Sequence, residues 1–195
     1  MRNFIALVLC ALTLCVAVGQ SGKARATTTA QTAKSKQTEP ELKLKIEGRG
    51  EVTIKLFTLE APKTTAHIMK LVKDGFYDGL RFHRADKTPK PYLVQVGDPA
   101  SKSVSLDDPK MGMGGSGTTV PYENTSHQNV EGAVGLSHLV GNQNTGDSQF
   151  YIVLGPDKFL DGFYTVFGQV VSGMDVVKKI ERGDRITSAT IVPAS

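Results

Sequence analysis

Apolar and polar positions alternate along two stretches early in the chain. Leu42-Lys43-Leu44-Lys45-Ile46-Glu47 turns every second side chain to one apolar face, and Glu51-Val52-Thr53-Ile54-Lys55-Leu56-Phe57 repeats the pattern. A period of two belongs to a half-buried strand. Gly48 and Gly50 stand between the runs, so the pair predicts a β-hairpin. The period then changes. Glu60-Ala61-Pro62 opens a helix, where proline is tolerated in the first turn. Ala66, Met69, Leu71 and Val72 supply its apolar side, and Asp74-Gly75 ends it. Short apolar, β-branched or aromatic runs at 80–84, 92–96, 133–137, 150–154, 165–170 and 185–192 predict further strands, separated by Gly, Pro, Asn and Asp. A second helix is predicted over 174–182, closed by Gly183. Many short strands, two helices and long glycine-rich loops predict a mainly β fold, a closed antiparallel barrel with helices packed on it.

The first 40 residues follow a different pattern. After Met1-Arg2-Asn3, an uncharged apolar run of 15 residues extends from Phe4 to Val18. A bilayer span takes about 20 residues, so the run matches the core of a signal peptide instead. Small residues follow it, and cleavage is expected after Gly19, with Ala24-Arg25-Ala26 as a second candidate. Residues 1–19 are thus expected to be a signal peptide and 20–40 a disordered basic linker rich in Thr, Ala and Lys. The linker has no aromatic residue and no periodic apolar face with which to offset its chain entropy. Residues 41–195 form the folded domain. Both cysteines, Cys10 and Cys15, lie in the apolar run, so a processed chain has none and is indifferent to the redox state of its compartment. The expected location is secreted or periplasmic.

Charge alters this picture only after it is divided. The net charge of +4 invites a nucleic-acid reading. Residues 1–40 carry five basic residues against Glu39, whereas residues 41–195 carry 18 of each sign. The domain is neutral, and no nucleic-acid partner is expected. The basic linker could provide weak tethering to an anionic surface.

Several motifs carry little chemistry. Gly112-Met113-Gly114-Gly115-Ser116-Gly117 fits G-x-G-x-x-G, but Asp107-Asp108-Pro109 precede it and Thr118-Thr119-Val120-Pro121 follow it. The strand and helix that make such glycines a dinucleotide site are missing, so a surface loop is expected. His67, His83, His127 and His138 lack metal-ligand spacing, and no metal is expected. No G-x-S-x-G elbow is present.

One ordered set of motifs is far more specific. Phe82-His83-Arg84 is followed by Gln95-Val96-Gly97-Asp98, Gly114-Gly115, Ser148-Gln149-Phe150-Tyr151, Phe159-Leu160-Asp161-Gly162 and Val166-Phe167-Gly168. In this order they resemble the cyclophilin family of peptidyl-prolyl isomerases over nearly all of residues 41–193, and most closely its short bacterial type. The resemblance implies a closed eight-stranded antiparallel barrel capped by two α-helices, a proline-binding groove on the outer face and no cofactor. It also implies a monomer that takes proline-containing peptides and unfolded proteins as partners. Arg84 matches the catalytic arginine. Gln95 and Gln149 match groove glutamines, whose amides are expected to orient Arg84 and bond the substrate backbone. Tyr92, Leu93, Tyr151 and Leu160 match the lining of the proline pocket, and Phe159 and Tyr164 its rim. Phe150, the strand neighbour of Tyr151, should face the interior.

Two segments depart from the family pattern. Residues 85–91 are about three longer than usual, which would shift Tyr92 relative to Arg84. Ser137-His138-Leu139-Val140-Gly141-Asn142 replaces a segment that usually resembles Ser-Met-Ala-Asn-Ala. Val140 stands where the substrate backbone is gripped, and Leu139 would narrow the adjoining subsite. The expectation is an exported prolyl isomerase with altered or reduced peptide preference. The alternative is a non-catalytic proline-binding or chaperone module on the same scaffold.

Overall fold

A computed structural model describes residues 39–193. The expected signal peptide, and the linker up to residue 38, lie outside the described residues. Eight strands form one sheet: β1 (Glu41–Ile46), β2 (Gly50–Leu56), β3 (Arg84–Asp86), β4 (Leu93–Val96), β5 (Ala133–Leu136), β6 (Phe150–Val153), β7 (Val166–Ser172) and β8 (Ile186–Val192). Their order is β3-β4-β6-β5-β7-β2-β1-β8, and every neighbouring pair is antiparallel. Helix α1 (Pro62–Lys73) lies against β8, and helix α2 (Met174–Lys179) lies against β2.

The alternation read from the sequence decides which side chains enter the core. Leu42, Leu44 and Ile46 of β1, Val52, Ile54 and Leu56 of β2, and Val94, Val96, Phe150, Ile152 and Phe167 belong to one buried cluster. Phe150 therefore faces inward, where it meets Tyr77 and Phe167 edge-on at centroid distances of 5.5 and 6.1 Å. Such edge contacts suit the ring quadrupole. The buried Tyr77 hydroxyl donates to the Ser148 carbonyl at 2.9 Å.

The expected closed barrel is corrected: the sheet is an open half-barrel. β3 and β8 are its two edges, and among the described residues no strand ladder joins them. Between them stands the single bridge Arg81–Arg185, flanked by Phe82 N–H to the Asp184 carbonyl (2.9 Å) and Ile186 N–H to the Leu80 carbonyl (2.8 Å). The pairing around that bridge is irregular, with Gly183 N–H bonding the Phe82 carbonyl and Gly79 N–H the Ile186 carbonyl, both at 2.8 Å, while the Arg81 N–H points away from Arg185 and donates to Ser101 Oγ at 3.1 Å. The strand expected at 80–84 begins only at Arg84.

Both helices also differ in detail from the sequence pattern. α1 buries Thr64, Thr65, Ile68, Leu71 and Val72, while Ala66, expected on the apolar side, is exposed. α2 stops at Lys179, short of the expected residue 182. Ile180 leaves helical backbone at ψ 129° and is fully buried. Beyond it, the Arg182 side chain donates to the carbonyls of His83 and Leu106 and to Asp107. These contacts pull the chain away from the helix axis.

Candidate active site

The outer face of the half-barrel carries the residues singled out by motif. Strand pairing aligns Arg84 with Gln95, Gln95 with Tyr151, Tyr151 with Gly135 and Gly135 with Val166, so one row crosses five strands. The parallel row through Asp86, Leu93 and Val153 adjoins it. Side chains of alternate residues share a face, and here that face gathers a second, smaller apolar cluster: Phe57, Leu93, Ala133, Tyr151, Val153, Leu160 and Val166. Tyr92 and Tyr164 pack against it while remaining partly exposed. The structure thus brings together all four residues expected to line a proline pocket, with Tyr164 beside them. Phe159 is 89% exposed and does not belong to the cluster.

Gly135 makes room for the floor. A Cβ at that position would lie 2.2 Å from the Tyr151 ring, so only glycine lets the ring lie across β5. The Tyr151 hydroxyl donates to Asn129 Oδ1 at 2.8 Å, and Asn129 donates to Asp161 from both its backbone and its side-chain nitrogen. Burial pushes the Tyr151 phenol well above its ordinary pKa. The two donations from Asn129 hold the Asp161 carboxyl below its ordinary value. Asn129 and Asp161 thereby fix the floor, and the spacing of motifs gave no signal for Asn129.

Arg84 lies at the margin of this floor. Its guanidinium stands 5.5 Å from the centre of the Tyr92 ring, a distance at which the π-face attracts a cation. The seven residues 86–92 form a closed loop, because the Tyr92 N–H bonds the Asp86 carbonyl at 2.9 Å. The extra length of the 85–91 segment is contained in that loop and leaves Tyr92 against Arg84.

The glutamines do not orient Arg84 in this structure. The Gln95 amide donates to Gln149 Oε1 at 2.9 Å and to Ser137 Oγ at 3.2 Å. The Gln149 amide donates to the carbonyls of Gly112 and Gly114 at 2.8 and 2.7 Å. Among the described residues neither bonds Arg84, whose partner is Asp86. Gln149 instead anchors the glycine-rich loop at the side of the groove, and Gln95 holds Gln149. Buried Asp98 holds the same loop by accepting from Gly112 N–H and Gly114 N–H. A Cβ on Gly114 would meet Asp98 Oδ1 at 2.5 Å, and one on Gly115 would meet Asp147 Oδ2 at 2.3 Å. These close approaches account for the clustered glycines.

Beside this loop lies a cavity of about 220 Å³ lined by Met113, Ser137, His138, Leu139, Thr145 and Gln149, among others. Leu139, part of this lining, is half exposed, and its neighbour in the chain, Val140, is fully exposed. His138 ties this lining to the floor. Its ring stacks on Tyr164 at 4.4 Å, and its Nε2 lies 2.9 Å from the Phe163 carbonyl.

Residues 41–193 match the family described as cyclophilin type peptidyl-prolyl cis-trans isomerase/CLD. The chain belongs to the cyclophilin family. It is 36% identical over 146 residues to a peptidyl-prolyl cis-trans isomerase of Synechococcus elongatus, covering 74% of this chain and 91% of that protein. It is 35% identical over 139 residues to peptidyl-prolyl cis-trans isomerase B of Bacillus subtilis, covering 71% and 89%. Among solved structures, a Cryptosporidium parvum cyclophilin-type isomerase superposes with a TM-score of 0.68 at 20% identity, over 81% of this chain and 99% of that one. The family and its relatives make this cyclophilin a peptidyl-prolyl cis-trans isomerase, and the superposition shows the shared fold.

Proposed function

We propose that this cyclophilin isomerises X–Pro bonds in unfolded exported proteins, with Arg84 stabilising the twisted prolyl amide. The barrier to rotation, about 18–20 kcal/mol, is the loss of amide resonance. Uncatalysed exchange takes about tens to hundreds of seconds. Millisecond turnover therefore requires about 5.5–7 kcal/mol of preferential binding to the twisted state. On twisting, the prolyl nitrogen becomes pyramidal and exposes a lone pair. A fixed cationic donor aimed at that lone pair stabilises the twist and leaves the planar isomers nearly untouched.

The observation that carries this reading is the Arg84 guanidinium, held at the edge of an apolar floor built from Leu93, Tyr151, Leu160 and Val166. An apolar floor suits a proline ring, and a cation at its edge supports the role proposed for Arg84. A preorganised donor supplies about 2.7–4 kcal/mol. Holding the ring while the preceding carbonyl swings supplies the rest. A cyclophilin-type isomerase of Cryptosporidium parvum has been crystallised in the presence of the dipeptide Ala-Pro. For the present chain, proline-containing peptides are the proposed substrates. The apolar leader supports export to a secreted or periplasmic site, the basic linker supports weak surface tethering, and a monomer suffices for the chemistry.

A protease-coupled assay on a prolyl tetrapeptide tests the mechanism. Arg84→Ala should lose about 10²-fold in kcat/KM, and Arg84→Lys should also fall because it lacks the planar fork. An Arg84→Ala enzyme as fast as the wild type overturns the role of Arg84. Exposed Leu139 and Val140 favour a second reading, a binding module that captures apolar segments around proline. Saturable peptide binding by the wild type at an uncatalysed exchange rate would decide for it.

A further inference from the structure

Arg84 and Asp86 are two apart on β3, so both side chains stand on the outer face of the sheet. Asp86 Oδ2 accepts from Arg84 Nε at 2.6 Å and lies 2.5 Å from Nη2. One carboxylate oxygen thus takes one whole edge of the guanidinium. Below the same group lies the Tyr92 ring. Edge and face together fix the plane of the cation, and the opposite edge, Nη1, is left to donate.

We propose that Asp86 is a positioning residue for Arg84, performing the orientation that Gln95 and Gln149 do not perform here. The proposal rests on the assignment of Arg84 given above. Three observations support it. First, among the described residues no hydrogen bond joins either glutamine to Arg84: Gln149 Oε1 accepts from Gln95, and the two amide nitrogens donate elsewhere. Second, Asp86 belongs to the row of Leu93 and Val153, so its bond draws the guanidinium along β3 toward the floor. Third, the pair is solvent-accessible, with side chains 43% and 38% exposed. Exposed ion pairs add little to folding stability, so loss of this contact should leave the fold intact. An arginine on a short edge strand would otherwise sample many rotamers.

The test measures kcat and KM separately on the full chain, with a prolyl tetrapeptide as probe. Asp86→Ala should lower kcat about tenfold, with KM within about twofold of wild type. Asp86→Glu, which keeps the carboxylate, should recover part of the loss. In the nuclear magnetic resonance spectrum, the Arg84 Nε–H signal should lose its protection in Asp86→Ala, while the backbone amides away from β3 keep their positions. In an Arg84→Ala background, Asp86→Ala should cost nothing further, since the two act as one unit. The proposal is overturned if Asp86→Ala turns over as fast as the wild type or faster while Arg84→Ala is slow, or if its loss persists without Arg84. If Arg84→Ala itself matches the wild type, the underlying role of Arg84 fails instead.

Discussion

Both ring nitrogens of His83 are buried without a hydrogen-bond partner, although the residue stands directly before Arg84. Burial holds its pKa below the ordinary histidine value, and the nearby arginines, Arg84 and Arg182, act in the same direction against an opposing Asp98. The folded chain therefore keeps a neutral imidazole where the unfolded chain, with an ordinary value of about 6.5, accepts a proton. The sign follows from that difference. The stability associated with neutral His83 is complete above about pH 6.5 and is lost as pH falls toward the lower folded value. Thermal unfolding of the wild type should show Tm falling through this window, and His83→Leu should flatten the slope. Parallel curves for the two proteins would show that His83 is not the titrating group.

At the scale of elements, α1 lacks a side-chain cap of its own. Its N-cap is Ala61, and the first-turn amides of Lys63 and Thr64 donate instead to the Glu123 carboxylate, at 3.0 and 2.8 Å, from a loop some 60 residues away in sequence. A carboxylate at that end also faces the positive pole of the helix. Glu123→Ala should therefore cost about 0.5–2 kcal/mol, the range of a lost N-cap. Denaturant unfolding would measure it, and the exchange of the Lys63 and Thr64 amides should accelerate first. Such long-range partners mark the limit of what the sequence reveals. The strand period placed Leu42–Glu47 and Glu51–Phe57 almost to the residue, because each strand records its own burial. It misplaced the start of β3, because residues 79–82 pair with 183–186 only irregularly, around a single bridge. It overran α2, because the side chain of Arg182 is held by a distant loop. The site divides in the same way. Arg84, Gln95, Gln149 and Tyr151 were legible as parts of ordered motifs. Asp86 resembled any polar residue entering a loop, and Asn129 carried no motif at all. Their roles come from where the chain folds them.

At the scale of the whole molecule, the basic character of the full sequence does not extend to its folded part. The 18 positive and 18 negative residues from position 41 onward balance. The row of site residues draws on strands from residue 84 to residue 166, so no contiguous fragment shorter than that span contains it. A different consequence follows from the pairing of β1 with β8. Glu41 and Val192 are direct partners in that ladder, and paired Cα atoms in such ladders lie about 4.5–5.5 Å apart. The beginning and end of the folded unit are therefore neighbours, and a short glycine linker could join them. New ends could then be opened between Gly48 and Arg49, in an exposed turn where Gly48 has open space around it. A circular permutant that starts at Arg49 and finishes at Gly48 should keep its isomerase activity, with a Tm lowered by about a few degrees. The point at which the chain is cut would then be a matter of chain order, independent of the architecture that makes the enzyme.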